Sequence, residues 1–442
     1  MENQKTFDKI IDGMNQAAYK INSLRYISVI KSTFTALLPV IIVGAFATLF
    51  SNMVFDSTNG LAQISALSFL EELKPISMAI NYVTMNFLTI FVIFLIGLEL
   101  GRLNKIKGFF PGVLAVMSYL VVNPTSVDIE IDGVFQTVNN VLSSNYTNTR
   151  GLFLGMIIGM ASVELYTWLN KQEVLKIKMP NTVPPNVSAS FSALIPAFIT
   201  VTSFGVLGFV VTALTGMTMY EITYNIVQRP LEGVMQGLPG ILTLMFVAQV
   251  FWIIGIHGNQ MVNPIRQPLL LAAIAANTDA FNAGLEAPNI ITMPFWDVYM
   301  SFGGSGCTLG LLIAIFLIGK RDDMKQIAKL STPPGIFNIN EPVTFGMPIM
   351  LNPVLAIPFI ITPLITGTIG YFATAVGFAG RTVVMIPWPT PPIISAYLAT
   401  AGSIGAVITQ LVCIVVSILI YLPFVQITNK QEIVIPEAIE QE

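Results

Sequence analysis

Two side chains in this sequence are of a kind and in a setting suited to moving a proton. His257 is the one histidine among 442 residues and lies in Ile254-Gly255-Ile256-His257-Gly258, where the glycines permit close backbone approach. With an unperturbed pKa of about 6.5, an imidazole there is a donor, an acceptor or a proton carrier, unless it is simply a satisfied core or interfacial histidine. Glu341 lies in Asn338-Ile339-Asn340-Glu341-Pro342, at the head of a run from Pro342 to Gly380 that holds no charged residue. A carboxylate at membrane depth costs roughly 2.5–3.5 kcal/mol on insertion scales, which makes it a functional candidate. It is a base for a substrate hydroxyl within hydrogen-bond reach, or a cap for helix amides.

Both side chains sit in interrupted stretches of the second half, Gly255 to Pro268 and Pro333 to Pro348, where glycine and proline break an apolar run. Irregular backbone at membrane depth is tolerated only inside protein or beside a water-filled cavity, and paired broken segments point to a transporter's binding site. We therefore expect two re-entrant hairpins, near 257–268 and 331–353, meeting around one substrate. Amides freed at such breaks can hydrogen-bond a hydroxyl-rich substrate. A third stretch, Met385-Ile386-Pro387-Trp388-Pro389-Thr390, is held non-helical by its prolines. Trp388 is either an interface-belt aromatic or a flat face for a sugar ring. Trp168, Trp252 and Trp296 lack such a context and read as packing or belt residues. Gly303-Gly304-Ser305-Gly306 has no following Gly-Lys-Ser/Thr and no preceding strand, so it is not a phosphate loop; small residues at this density let helices pack closely. Cys307 and Cys413 lie in apolar runs and form neither a disulfide framework nor a metal site. No metal, cofactor, nucleotide site or nucleic-acid partner is expected.

The elements that must position these groups are membrane spans. Hydrophobic residues make up 54% of the chain and charged residues only 10%, against about 25% charged in soluble domains. The chain reads as an all-α, polytopic integral membrane protein in the lipid bilayer. Segments near the required length of about 20 apolar residues are Thr33–Val54, Ile76–Leu98, Phe109–Val122, Gly151–Leu169, Phe191–Met217, Pro239–Ile256, Pro268–Phe281, Ser301–Gly319, Val354–Val376 and Ala401–Phe424. Met1 to Tyr26 is polar and unlike a signal peptide; Phe7, Ile10, Ile11, Met14 and Ala18 recur at helical spacing, as in an amphipathic surface helix. Tyr220 to Gly237 reads as an interfacial connecting helix, Asn123 to Arg150 as an extracellular flap or hairpin, and Lys430 to Glu442 as a loose acidic tail. The expected organisation is 1–217, 218–238 as connector, 239–429 carrying the site, and 430–442 as tail. Basic residues cluster before the first span and after the second, fourth and eighth, which places both termini in the cytoplasm under the positive-inside rule.

Several of these motifs resemble the sugar-transporting component IIC of the bacterial phosphotransferase system. Ile254-Gly255-Ile256-His257-Gly258 is similar to one family signature, and Asn338 to Pro342 with Phe345-Gly346 and Asn352-Pro353 to a second. Phe302-Gly303-Gly304-Ser305-Gly306, the Pro387-Trp388 loop and Val183 to Pro196 resemble the family as well, which points to its lactose/cellobiose branch, diacetylchitobiose permeases included. The resemblance implies ten spans in a cell-membrane homodimer, with an N-terminal dimerisation half and a C-terminal half that moves a disaccharide like an elevator. It implies a separate component IIB, phosphorylated on cysteine, that phosphorylates the sugar at the cytoplasmic face, supplied in turn by component IIA, HPr and enzyme I. His257 and Glu341 would stand beside the accepting hydroxyl; Asn340 and Trp388, with Gly258 and Asn259, would hold the sugar. Neither intramembrane cysteine fits the role of the phosphocysteine. Asn259 to Asn263 is a stretch where family members vary and a candidate tuner of sugar choice. The rival function is a proton-coupled disaccharide symporter in which Glu341 and His257 carry the coupling proton.

Overall fold

The structure, a computed structural model, describes residues 24–430 apart from 58–59, 132–133, 178, 181–182, 254, 348 and 350–352. The expected N-terminal amphipathic helix through residue 23 and the acidic tail beyond Lys430 lie outside the described residues, as do Ile254 and Asn352.

Apolar runs become helices because a helix satisfies its own backbone donors and acceptors without water. The first half contains α1 (Arg25–Leu49), α2 (Lys74–Met85), α3 (Leu88–Leu103), α4 (Phe110–Val121), α5 (Leu152–Asn170) and α6 (Pro185–Thr215). The expected connector is α7 (Met219–Met235), which meets α8 (Leu238–Ile253) at 80°. Then follow α9 (Gly258–Asn282), α10 (Met293–Met300), α11 (Leu309–Ile318), α12 (Asp322–Ile336), α13 (Glu341–Gly346), α14 (Pro353–Ala375), α15 (Ile394–Ala399) and α16 (Ile404–Thr428). The expected hairpin is an antiparallel pair, Ser126–Ile131 with Val134–Asn139, in which Asp128 faces Thr137 and accepts its hydroxyl at 2.6 Å.

Among the described residues, five helical stretches are long and apolar enough to cross a membrane, and up to eight if each of three bent pairs is one span. These eight match eight of the ten expected spans. The expected third span is α4, whose 12 residues rise only about 18 Å. The expected seventh is contained in α9, which begins ten residues earlier than anticipated and has Asn259, Gln260, Asn263, Arg266 and Gln267 in its first three turns. The interrupted stretches are also narrower than the prolines suggested. Pro264 and Pro268 lie inside α9, and Pro333 and Pro334 inside α12. Among the described residues the non-helical positions are the turn before His257, then Phe337–Asn340, with Met347 and Ile349 following α13.

Glycine sets how closely the helices approach, as is usual where apolar lipid gives helix pairs no hydrophobic drive. A Cβ on Gly97 of α3 would come within 2.6–2.8 Å of Pro111 and Ala115 on α4. One buried apolar cluster runs through both halves, from Phe34 and Ile93 to Leu270, Tyr299 and Cys413. A second, around Trp252, Leu311, Phe359 and Tyr421, supports the site from below.

Two long helices fix what lies at opposite ends of the molecule. α16 has 25 residues, about 37 Å. Beyond its last turn Asn429 accepts from the Lys320 amide at 2.8 Å and donates to Ile318 O at 2.9 Å, so the Lys320–Lys329 basic segment sits there, while Ala401 and Gly402 sit before its first turn. In α1, Arg25 pairs with Glu164 at 2.9 Å and bonds Asn104, beside Arg102, Lys105 and Lys171. At its other end Thr48 accepts from Asn81 at 2.6 Å. The Arg321 guanidinium beside Asp323 holds that exposed carboxyl below the usual carboxylate range, so Lys320, Lys325 and Lys329 carry most of that segment's charge.

Candidate functional site

His257 ends the turn after α8 and caps α9: its Nδ1 accepts from the Gln260 amide at 3.4 Å. With Nδ1 an acceptor, the neutral imidazole carries its proton on Nε2. The Trp252 indole lies against the ring, centroids 4.3 Å apart and tilted 44°. Nε2 stands 3.9 Å from Oε1 of Glu341, the first residue of α13. That gap is too long for a hydrogen bond, and both side chains are almost half exposed, so a hydroxyl placed between them can bond to each.

Three loops converge on this pair, and asparagines tie them together. Asn338 adopts a left-handed backbone, φ 63°, which asparagine tolerates better than most residues. Its Oδ1 accepts from the Gly303 amide at 2.8 Å, while its Nδ2 donates to Trp388 O at 2.7 Å and Thr390 O at 2.9 Å. Asn340 donates to Ser305 O at 2.9 Å, and Asn259 donates to Ser305 Oγ at 3.1 Å. Gly304, at φ 92°, makes the approach of Asn340 possible: a Cβ there would lie 2.5–2.7 Å from Asn340 side-chain atoms.

Around them lies a cavity of about 350 Å³, lined by Trp252, His257, Asn259, Asn338, Asn340, Glu341 and Trp388, among others. Of the residues singled out from the sequence, His257, Asn259, Asn340, Glu341 and Trp388 are brought together here. Gly258 is not on the cavity wall; it packs against Ala248 O, where a Cβ would collide. Trp252, expected only to pack or to lie in an interface belt, forms a wall of the cavity; Trp296 is fully buried and Trp168 exposed.

Sequence reasoning missed a second pole of the same cavity. Arg266 is 6% exposed, lies 4.6 Å over the Trp296 ring and donates to Asn263 Oδ1 at 2.7 Å. Its Nε and Nη1 have no hydrogen-bond partner among the described residues, an expensive state for a buried guanidinium. Asp297 lines the cavity as well. Nine residues of helix separate His257 from Arg266, about 13 Å along the axis. An ionisable residue in each of two apolar helices was the available signal, since such residues mark substrate pathways. No group of three metal-ligating side chains occurs among the described residues.

The profile of the family "Phosphotransferase system, EIIC" matches residues 31–363. The chain belongs to this EIIC family. This EIIC chain is 33% identical to the oligo-beta-mannoside-specific EIIC component of Bacillus subtilis (strain 168), over 96% of this chain and 94% of that one. It is 34% identical to the lichenan permease IIC component of the same organism, over 94% and 92%. Its fold is similar to the crystal structure of the transporter ChbC, the IIC component from the N,N'-diacetylchitobiose-specific phosphotransferase system, with TM-score 0.88, 33% identity, and 95% and 96% of the two chains covered. It is thus a multi-pass sugar permease of the cellobiose/lactose type within the phosphotransferase system.

Proposed function

We propose that this permease takes up a β-linked disaccharide and presents its primary hydroxyl for phosphorylation by the phosphocysteine of a separate component IIB. The observation that carries this is the His257–Glu341 pair, 3.9 Å apart at one pole of a cavity whose other pole holds Arg266 and Asp297. About 350 Å³ lies within the usual range for ligand pockets, roughly 300–1,000 Å³. Trp388 offers a ring face, and amides, hydroxyls and charged groups surround it, the lining a neutral polyol needs. Relatives named for oligo-beta-mannosides, lichenan and cellobiose support a β-linked substrate.

In the transfer step the S–P bond of component IIB breaks and an O–P bond to the sugar forms. Glu341 accepts the hydroxyl proton, the Nε2–H of His257 holds the reacting oxygen, and the cysteine leaves as thiolate. Positioning and charge do most of the work in such transfers. Once Glu341 passes its proton to solvent, the added dianion sits beside a carboxylate, which favours release of the product. The half from 239 to 429 carries the site and moves against the half from 1 to 217 in an elevator-type shift, with both termini cytoplasmic. The exposed side chains Phe191, Phe198 and Phe209 lie along one face of α6, an apolar stripe suited to a second copy.

Vesicle uptake tests the reading. Accumulation of cellobiose is expected to require phosphoenolpyruvate and the partner components, to yield sugar phosphate, and to survive a protonophore. Unmodified sugar that collapses with a protonophore would establish a proton symporter instead.

A further inference from the structure

We propose that the protein has a second carbohydrate-binding station, a vestibule at the end of the molecule remote from the basic segments, which receives neutral sugar before it reaches the His257–Glu341 cavity; this role rests on sugar uptake as proposed above. A cavity of about 910 Å³ lies between the two halves there, more than twice the volume of the substrate cavity. Thr48 and Asn81 from the far end of the first half line it, together with Ala401 and Gly402 from the start of α16. Tyr82, Met78 and Leu285 are more than half exposed at its rim.

The chemistry of its wall suits a polyol. Asn81, Asn86, Asn282 and Ser51 supply donors and acceptors, and Tyr82 and Tyr397 supply rings for the apolar side of a sugar. Its charged pair, Lys74 with Asp56 at 2.7 Å, balances to zero, so the wall attracts neither anion nor cation overall.

Position links this vestibule to the substrate cavity. A third space of only about 20 Å³, room for about one water, shares Thr48, Asn81 and Asn86 with the vestibule and Met385 with the substrate cavity. The two large cavities are therefore separated by one narrow constriction at Met385, three residues before Trp388. Methionine is unbranched and adaptable, suited to a plug that withdraws as the halves shift. Asp279 borders the constriction, and Arg150 acts on its charge.

Cysteine labelling tests the station against little background, because Cys307 and Cys413 are fully buried. Asn86→Cys is placed in right-side-out vesicles and treated with a membrane-impermeant maleimide. Modification is expected from the outside, slowed roughly 10-fold by cellobiose at about ten times its Kd, and sugar uptake is expected to fall at least as far once the site is blocked. If Asn86→Cys does not fold, Tyr82→Cys at the rim serves for the same measurements. Modification that cellobiose does not slow, that leaves uptake unchanged, or that occurs only in inverted vesicles would make the vestibule a passive fissure and overturn the proposal. Failure of the unsubstituted chain to accumulate disaccharide would instead sink the transport function, so the two failures are separable.

Discussion

At the scale of single residues, the proposed transfer turns on the distance between His257 and Glu341. At 3.9 Å the two groups leave room for a reacting hydroxyl, and the hydrogen bond at His257 Nδ1 leaves Nε2–H to face it. Glu341→Gln keeps the shape and the hydrogen-bonding side chain but removes the base. Phosphoenolpyruvate-dependent phosphorylation is expected to fall by about 10²–10⁴-fold, the usual contribution of a general base, with cellobiose affinity within severalfold of the original. Equilibrium binding and initial phosphorylation rates measure the two separately; a fully active variant would remove Glu341 from the mechanism. Glu341 was legible in the sequence because it stands alone before a long uncharged run. Arg266 and Asp297 were passed over although each is an ionisable residue in a membrane helix; that they line one cavity, with two Arg266 nitrogens unpartnered among the described residues, follows only from the packing of α9 and α10.

At the scale of elements, the site is a junction of three loops, and each end of the junction depends on a backbone that a side chain would disturb. Gly304→Ala adds both strain at φ 92° and a collision with Asn340. Strain of this kind costs on the order of 1–3 kcal/mol, and displacing Asn340 also breaks its bond to Ser305. A lowered Tm in detergent together with weakened cellobiose binding is expected. Gly377→Ala is the control: φ is 77° there, but nothing lies within 4 Å of the added methyl, so stability falls while sugar binding holds. Unchanged sugar binding in Gly304→Ala would show that the Asn340–Ser305 contact does not shape the cavity. The prolines located both interruptions in the sequence but exaggerated their width. Pro264 and Pro268 stay inside α9, and the chain bends instead at Gly255, where φ is 88°.

At the scale of the whole molecule, basic segments gather at one end and the vestibule at the other, with α16 running about 37 Å between them, enough to cross a hydrocarbon core of about 30 Å. With the positive-inside rule this predicts sidedness. A cysteine at Val174, which is 94% exposed beside Lys171 and Lys176, is expected to react with an impermeant thiol reagent only in inverted vesicles. One at Gln136, in the β-hairpin, is expected to react only in right-side-out vesicles; the reverse pattern would invert the orientation. Composition was sufficient for the membrane class and the helical architecture, and glycine and proline for the two breaks that hold His257 and Glu341, because hydrocarbon imposes its length and hydrogen-bonding demands on every span independently. Only the tertiary structure decided that the breaks meet, that Trp252 and Ser305 belong to the site, and that a larger cavity waits behind Met385. Those facts depend on which faces of distant helices are pressed together, and a linear order of residues does not contain that information.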